Sequence, residues 1–129
     1  MLEHPKQLSY TARHLWAEVS EKDRVATIGI TEDLVEMLAD IVTLDMPLVG
    51  DELDMDIFCI HIHLPTRIQH LRSPLSGRVL EINRDVLDNA GLLALAPYKN
   101  WLYKMEYDDP SELDLLMNSV QYGKYLDRL

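Results

Sequence analysis

Residues Ile57-Phe58-Cys59-Ile60-His61-Ile62-His63-Leu64-Pro65-Thr66-Arg67-Ile68 decide how this chain folds. Successive side chains of a β-strand point to opposite faces, so a period of two marks a strand buried on one side. Phe58, Ile60, Ile62 and Leu64 fall on one face here, and Cys59, His61 and His63 on the other. Pro65 sets φ for the first corner of a β-turn and places Thr66 at the second. A β-branched residue tolerates that corner in a type I turn but not the positive φ of type II. The chain is therefore expected to return through Ile68 and Leu71 as a tight hairpin with Leu64-Pro65-Thr66-Arg67 at its tip.

Strand signals continue on both sides of the hairpin. Leu15–Val19 and Arg24–Ile30 flank the charged turn Ser20-Glu21-Lys22-Asp23 and read as an earlier hairpin. Thr31 is placed to cap a helix, with Glu32 and Asp33 in its positive first turn and Leu34, Met37 and Leu38 as its apolar stripe. Ile41–Leu44 reads as a strand leading to a turn at Pro47–Asp51, and Arg78–Asn83 as another after the breaker Ser73-Pro74-Leu75-Ser76-Gly77. Arg84–Asn100 reads as loop and Trp101–Tyr107 as a last strand. Asp109-Pro110-Ser111-Glu112 has the form of a helix start, with Asp109 as N-cap, Pro110 at the first position and Glu112 closing a capping box. Leu113, Leu116 and Met117 would be its buried stripe, and the tail with Tyr122, Tyr125 and Leu126 a second short helix packed on the sheet. Short strands at this spacing predict a mainly β fold with flanking helices (α+β), a small sandwich or barrel in one domain over residues 1–129.

Composition narrows the function classes. With 22 acidic against 12 basic residues the net charge is −10, a field that repels phosphate backbones and argues against a nucleic-acid partner. Cys59 is the sole cysteine, so no disulfide within the chain is available. No apolar run approaches the roughly 20 residues of a membrane span, and Met1–Lys6 lacks the apolar core of a signal peptide. A cytoplasmic protein with no membrane partner is expected. No nucleophile-elbow, P-loop, dinucleotide or H-E-x-x-H motif is present, which argues against an enzyme. Asp40, Asp51, Glu52 and Asp54 read as a solvated acidic rim, and Trp16 and Trp101 as packing residues.

Several runs in order resemble the H protein of the glycine cleavage system. Tyr10-Thr11-x-x-His14-x-Trp16 is similar to the family's opening strand, Ala26-Thr27-Ile28-Gly29-Ile30-Thr31 to its "A-T-x-G-I-T", and Leu38-Ala39-Asp40-Ile41-Val42 to its "L-G-D-I-V". Leu44-x-x-Pro47-x-x-Gly50-Asp51-Glu52, Ser73-Pro74-x-Ser76-Gly77, Pro97-Tyr98 and Trp101-Leu102 extend the match over about residues 8–120, with C-terminal helices over about 110–129. The resemblance implies a lipoyl-domain-like barrel-sandwich hybrid. It also implies a carrier that presents lipoate, amide-linked to one hairpin lysine, to the glycine-cleavage enzymes.

The lysine is where this sequence departs. The family places it sixteen residues after the glycine of "G-D-E" and seven before the serine of "S-P-x-S-G". Counting from Gly50 and from Ser73 both give Thr66. The family's "E-S-V-K-A" reads His63-Leu64-Pro65-Thr66-Arg67 here, and no lysine lies between Val25 and Tyr98. A hydroxyl cannot replace the amine, and the Arg67 guanidinium is too basic and delocalised to be acylated. The cofactor expectation is therefore none, with lipoate absent and the hairpin kept as a presenting element. The family's "N-x-x-P-Y-G-x-G-W" is also altered, to Ala94-Leu95-Ala96-Pro97-Tyr98-Lys99-Asn100-Trp101, one residue shorter and without its glycines.

The resulting function is a non-catalytic binding or regulatory module for lipoate-handling or glycine-cleavage-type protein partners. Two alternatives stand beside it. One is a metal or small-ligand site built from His61, His63, His70 and Cys59, against which the polar strand face is the simpler explanation. The other is a working glycine-cleavage carrier, which would need modification elsewhere.

Overall fold

The computed structural model describes residues 2–129. Among these residues, nine strands form two open antiparallel sheets: β1 (Ser9–Tyr10), β2 (Leu15–Ser20), β3 (Val25–Ile30), β4 (Thr43–Asp45), β5 (Glu52–Leu53), β6 (Phe58–His63), β7 (Ile68–Arg72), β8 (Gly77–Ile82) and β9 (Tyr103–Tyr107). The larger sheet has the order β1-β2-β3-β9-β8-β5 and the smaller the order β4-β6-β7. The expected mainly β architecture with flanking helices is what forms. The consecutive short strands β4 and β5 belong to different sheets, so the turn between them carries the chain across the sandwich. Gly50 makes that turn possible with φ of +93°, a conformation a side chain resists.

One core lies between the sheets. Leu15, Ala17, Ala26, Ile28, Val79 and Met105 enter it from the larger sheet, and Leu44, Ile60, Ile62 and Leu71 from the smaller. β2 buries its other face too. Trp16 joins Leu8, Tyr10 and Tyr122 in a second cluster on the outside of the larger sheet. Trp16 pairs with Gly29 across β2 and β3, and a Cβ on Gly29 would overlap the indole. Glycine is there because the ring lies flat on the neighbouring backbone.

Helix α1 (Glu32–Leu38) starts as the sequence predicts: the Thr31 hydroxyl accepts from the Leu34 amide at 3.2 Å. Leu34 and Leu38 are buried, but Met37 is 53% exposed. A seven-residue helix covers the core with only one narrow stripe, and Met37 lies at its margin. Its end is strained. Ala39 terminates α1 with φ of +60° and ψ of −101°, at the position where the family resemblance has glycine. Positive φ costs a residue with a Cβ roughly 1–2 kcal/mol. Ala39→Gly is therefore expected to raise stability by about 1 kcal/mol, read as an increase in the urea midpoint with an unchanged slope.

Five expectations are corrected. Arg84–Asn100 is not all loop but carries α2 (Arg84–Asp88), capped by Asn83, and α3 (Leu92–Leu95); Val86, Ala90 and Leu93 are its buried anchors. Such short helices gain their stability from packing, so periodicity does not reveal them. The strand expected at Ile41–Leu44 pairs over Thr43–Asp45 instead, because its partner register is set by β6. The helix expected at Asp109 is a 3-10 helix over Pro110–Leu115, with Asp109 accepting from Ser111 N. Its Glu112 does not close a capping box but reaches Ser76, accepting from the amide at 2.8 Å and the hydroxyl at 2.9 Å. Leu113, Leu116 and Met117 are consequently half-buried rather than a core stripe.

The tail forms α4 (Ser119–Asp127), opened by a reciprocal capping box between Asn118 and Gln121. Tyr122 stacks on Tyr10 with ring centroids 4.8 Å apart. Its hydroxyl meets His14 Nδ1 at 2.8 Å and the Thr31 hydroxyl at 3.1 Å. Burial lowers the His14 pKa, opposed by the charge of Asp33, so this imidazole favours its neutral form. No helix among the described residues is long and apolar enough to cross a membrane.

Candidate functional site

The β6–β7 hairpin projects as the sequence predicts. Its ladder ends at the pair His63–Ile68, and Leu64 N donates to Arg67 O at 2.8 Å, leaving Pro65 and Thr66 as the two tip residues. Pro65, Thr66 and Arg67 are exposed. Thr66 keeps a negative φ, as a β-branched residue at a second corner requires. The tip thus presents a short hydroxyl side chain to solvent on a closed ladder. Arg67 is held beside it by a 2.8 Å bond from its guanidinium to Gln69 Oε1.

A bulge below the tip changes the two faces. Phe58 pairs with Arg72 but Ile60 with Leu71, so Cys59 is the extra residue in β6. An inserted residue reverses the alternation on one side of it. Ile60 and Ile62 stay in the core, whereas Phe58 is turned out and is 52% exposed. The Arg72 guanidinium lies over its ring at 4.8 Å, and the His70 ring packs beside it, tilted by 46° with centroids 5.2 Å apart. Cys59 is turned in. Its sulfur lies 3.6 Å from the Tyr103 hydroxyl, and burial pushes the thiol pKa up to about 11.

The four residues considered as a metal set therefore separate. His61 and His70 meet across the hairpin with their Nδ1 atoms 2.6 Å apart, so one ring donates and the other accepts. His63 turns to Asp45 of β4, with Nε2 2.7 Å from Oδ2. Cys59 faces the interior. No group of three or more metal-ligating side chains converges among the described residues. Strict alternation put Cys59 beside the histidines, and the bulge removes it. Sequence reading also missed Asp45 and the Phe58–Arg72 pair. Asp45 is brought in by β4–β6 pairing, for which no local signal exists.

The shortened Ala94–Trp101 segment is fixed by specific bonds. Pro97 O accepts from Trp16 Nε1 at 3.1 Å. Asn100 Nδ2 donates to Leu92 O and Ala96 O at 2.9 and 3.1 Å, closing the end of α3. Tyr98 OH donates to Glu3 O at 2.5 Å and accepts from Glu32 N at 3.2 Å. Asp40, Asp51, Glu52 and Asp54 are exposed, and Glu52 pairs with Arg78 at 3.3 Å. They form the solvated rim their composition suggests.

Comparison with known proteins places this geometry. The family model described as "Glycine cleavage H-protein" matches residues 8–129. The glycine cleavage system H protein of Photorhabdus laumondii is 33% identical over 124 residues, which is 95% of each chain. That of Vibrio campbellii is 36% identical over 118 residues, 91% of this chain and 93% of the relative. A crystal structure of a glycine cleavage system H protein from Mycobacterium marinum superposes with a TM-score of 0.82 at 27% identity, covering 97% of this chain and 99% of the other. With matches along nearly its whole length, in sequence and in three dimensions, the chain belongs to the glycine cleavage H-protein family.

Proposed function

We propose that this chain is a family member without lipoate: a single, non-catalytic, cytoplasmic domain that binds lipoate-handling or glycine-cleavage-type proteins. Thr66 carries this reading. It occupies the exposed tip of an intact hairpin, where the resemblance puts the acylated lysine. An amide link to the cofactor requires a primary amine. The hairpin and both its strands contain none, since the only lysines are Lys6, Lys22, Lys99, Lys104 and Lys124. What remains is a ligand-like shape, His63-Leu64-Pro65-Thr66-Arg67, on the scaffold that presents a carrier arm in the family.

The function follows from that loss. A chain that keeps the recognition surface but carries no arm can occupy or bridge partners without passing on a group. The regulatory or scaffolding role rests on this property. Intact-mass spectrometry of the protein from a lipoate-replete host tests it, and the expected spectrum shows the unmodified chain alone. A lipoyl adduct at any residue, or rescue of glycine cleavage in cells lacking their own H protein, would overturn the reading.

A further inference from the structure

We propose that His61 and His70 form a two-imidazole site for a divalent late transition-metal ion, copper(II) best, on the outer face of the smaller sheet. The two residues are direct partners across β6 and β7. Their Nδ1 atoms point at each other 2.6 Å apart, with the rings nearly perpendicular at 87°. Two imidazoles meet in this way only with one proton between them, so at least one lone pair faces the shared point. A metal ion takes the place of that proton. The ring that donated loses its Nδ1 proton and gains one at Nε2, both imidazoles are neutral, and the two Nδ1 lone pairs become the ligands.

The spacing selects the ion. Imidazole nitrogens bind at about 2.0–2.1 Å. Two of them at right angles on one ion therefore stand about 2.8–3.0 Å apart, and two at a tetrahedral angle about 3.3–3.4 Å. The 2.6 Å pair lies nearer the right-angled arrangement of tetragonal copper(II) or nickel(II). A small opening of the two side chains completes it. Among these ions copper(II) binds nitrogen sites most tightly. Cys59 is the soft ligand that would favour copper(I) instead, and the bulge turns it into the interior.

The surroundings favour a cation. On β4, Asp45 is the register partner of His61, so Asp45, His61 and His70 form one row across three strands. The row faces outward, since Leu44, Ile60, Ile62 and Leu71 fill the opposite face. Neighbours in such a row have Cβ atoms about 4.5–5.5 Å apart, which puts a carboxylate beside the pair. Asp45 is bonded to His63, so it contributes charge rather than a third bond, and solvent fills the remaining coordination positions. The guanidinium of Arg72 is held over the Phe58 ring. An ion bound here ties β6 to β7 and braces the two strands that carry the tip. The inference stands apart from the absence of lipoate, because neither imidazole depends on the chemistry of Thr66.

Titration of the full chain, carrying no affinity tag, with copper(II) chloride in a non-coordinating buffer provides the test. Calorimetry should show saturable binding, with nickel(II) and zinc(II) weaker and magnesium at least about a hundredfold weaker. In two-dimensional NMR, substoichiometric copper(II) should broaden the signals of His61, His70 and their strand neighbours first, a readout that needs no variant. His61→Ala and His70→Ala should each weaken copper by about tenfold or more. His63→Ala should leave the affinity within about threefold. His70 is exposed, so its replacement reads binding without disturbing the core. Absence of saturable copper binding would overturn the proposal, as would broadening centred on His4 rather than on the hairpin. So would magnesium binding as tightly as copper, or a His70→Ala variant that binds copper as the parent does.

Discussion

Thr66→Lys is expected to create at the hairpin tip a site that a lipoate–protein ligase acylates. The tip already meets the steric demands of the reaction. It is exposed, it closes the β6–β7 ladder, and its second corner has an ordinary negative φ that lysine also accepts. What it lacks is a primary amine on a long flexible stem, which Thr66→Lys supplies. Pro65→Val in the same chain brings the flanking residue to the family form, so the double variant is expected to be modified most completely. Incubation with ligase, lipoate and ATP followed by intact-mass analysis should convert most of the double variant and none of the parent. If neither variant acquires the adduct while a lipoylated relative does under the same conditions, the hairpin is not a preserved presentation element.

The largest effect on stability is expected at Trp16. Its ring is 3% exposed, lies against Gly29, and donates to Pro97 O. Removing a buried tryptophan costs about 3–5 kcal/mol, and the orphaned Pro97 carbonyl adds to that. Domains have only about 5–15 kcal/mol in total, so Trp16→Ala should lower the melting temperature by roughly 10–20 °C. Gly29→Val attacks the same contact from the other side, by overpacking, at about 1–3 kcal/mol or more. The pair should not add. Once the indole is gone, a valine at position 29 fills part of the space, so the double variant should be more stable than the sum of the singles predicts. Strict additivity in urea denaturation would show that the two residues do not share one packing unit.

Local signals carried much of the fold. The Pro65-Thr66 turn, the Thr31 cap and the β2–β3 hairpin each act within a few residues, and each appears where the sequence places it. Failures occurred where a distant partner decides. Glu112 has the spacing of a capping box, but Ser76 offers it two donors from another part of the chain. Cys59 has the parity of the histidine face, but the register between Phe58–Arg72 and Ile60–Leu71 requires one extra residue there. Met37 has the spacing of a core residue, on a helix too short to need it. The site divides in the same way. Its tip was legible because a turn is local; the His63–Asp45 pair was not, because Asp45 is brought in by the pairing of β4 with β6.

A ribosome emits Tyr10, His14 and Trp16 long before it emits Tyr122, which lies 108 residues after His14. The second cluster closes only when α4 docks, and Tyr10 N and O are bonded by Met117 just upstream of that helix. Until α4 leaves the exit tunnel, the outer surface of β2 lacks the cover of Tyr122 and the first strand has no partner on its far side. Between the emergence of β2 and that of α4, the nascent chain therefore carries an exposed aromatic patch, a surface on which a chaperone can act. A chain truncated before Asn118 keeps β9 and should hold a sandwich with a wetter tryptophan, and restoring α4 should quench that exposure.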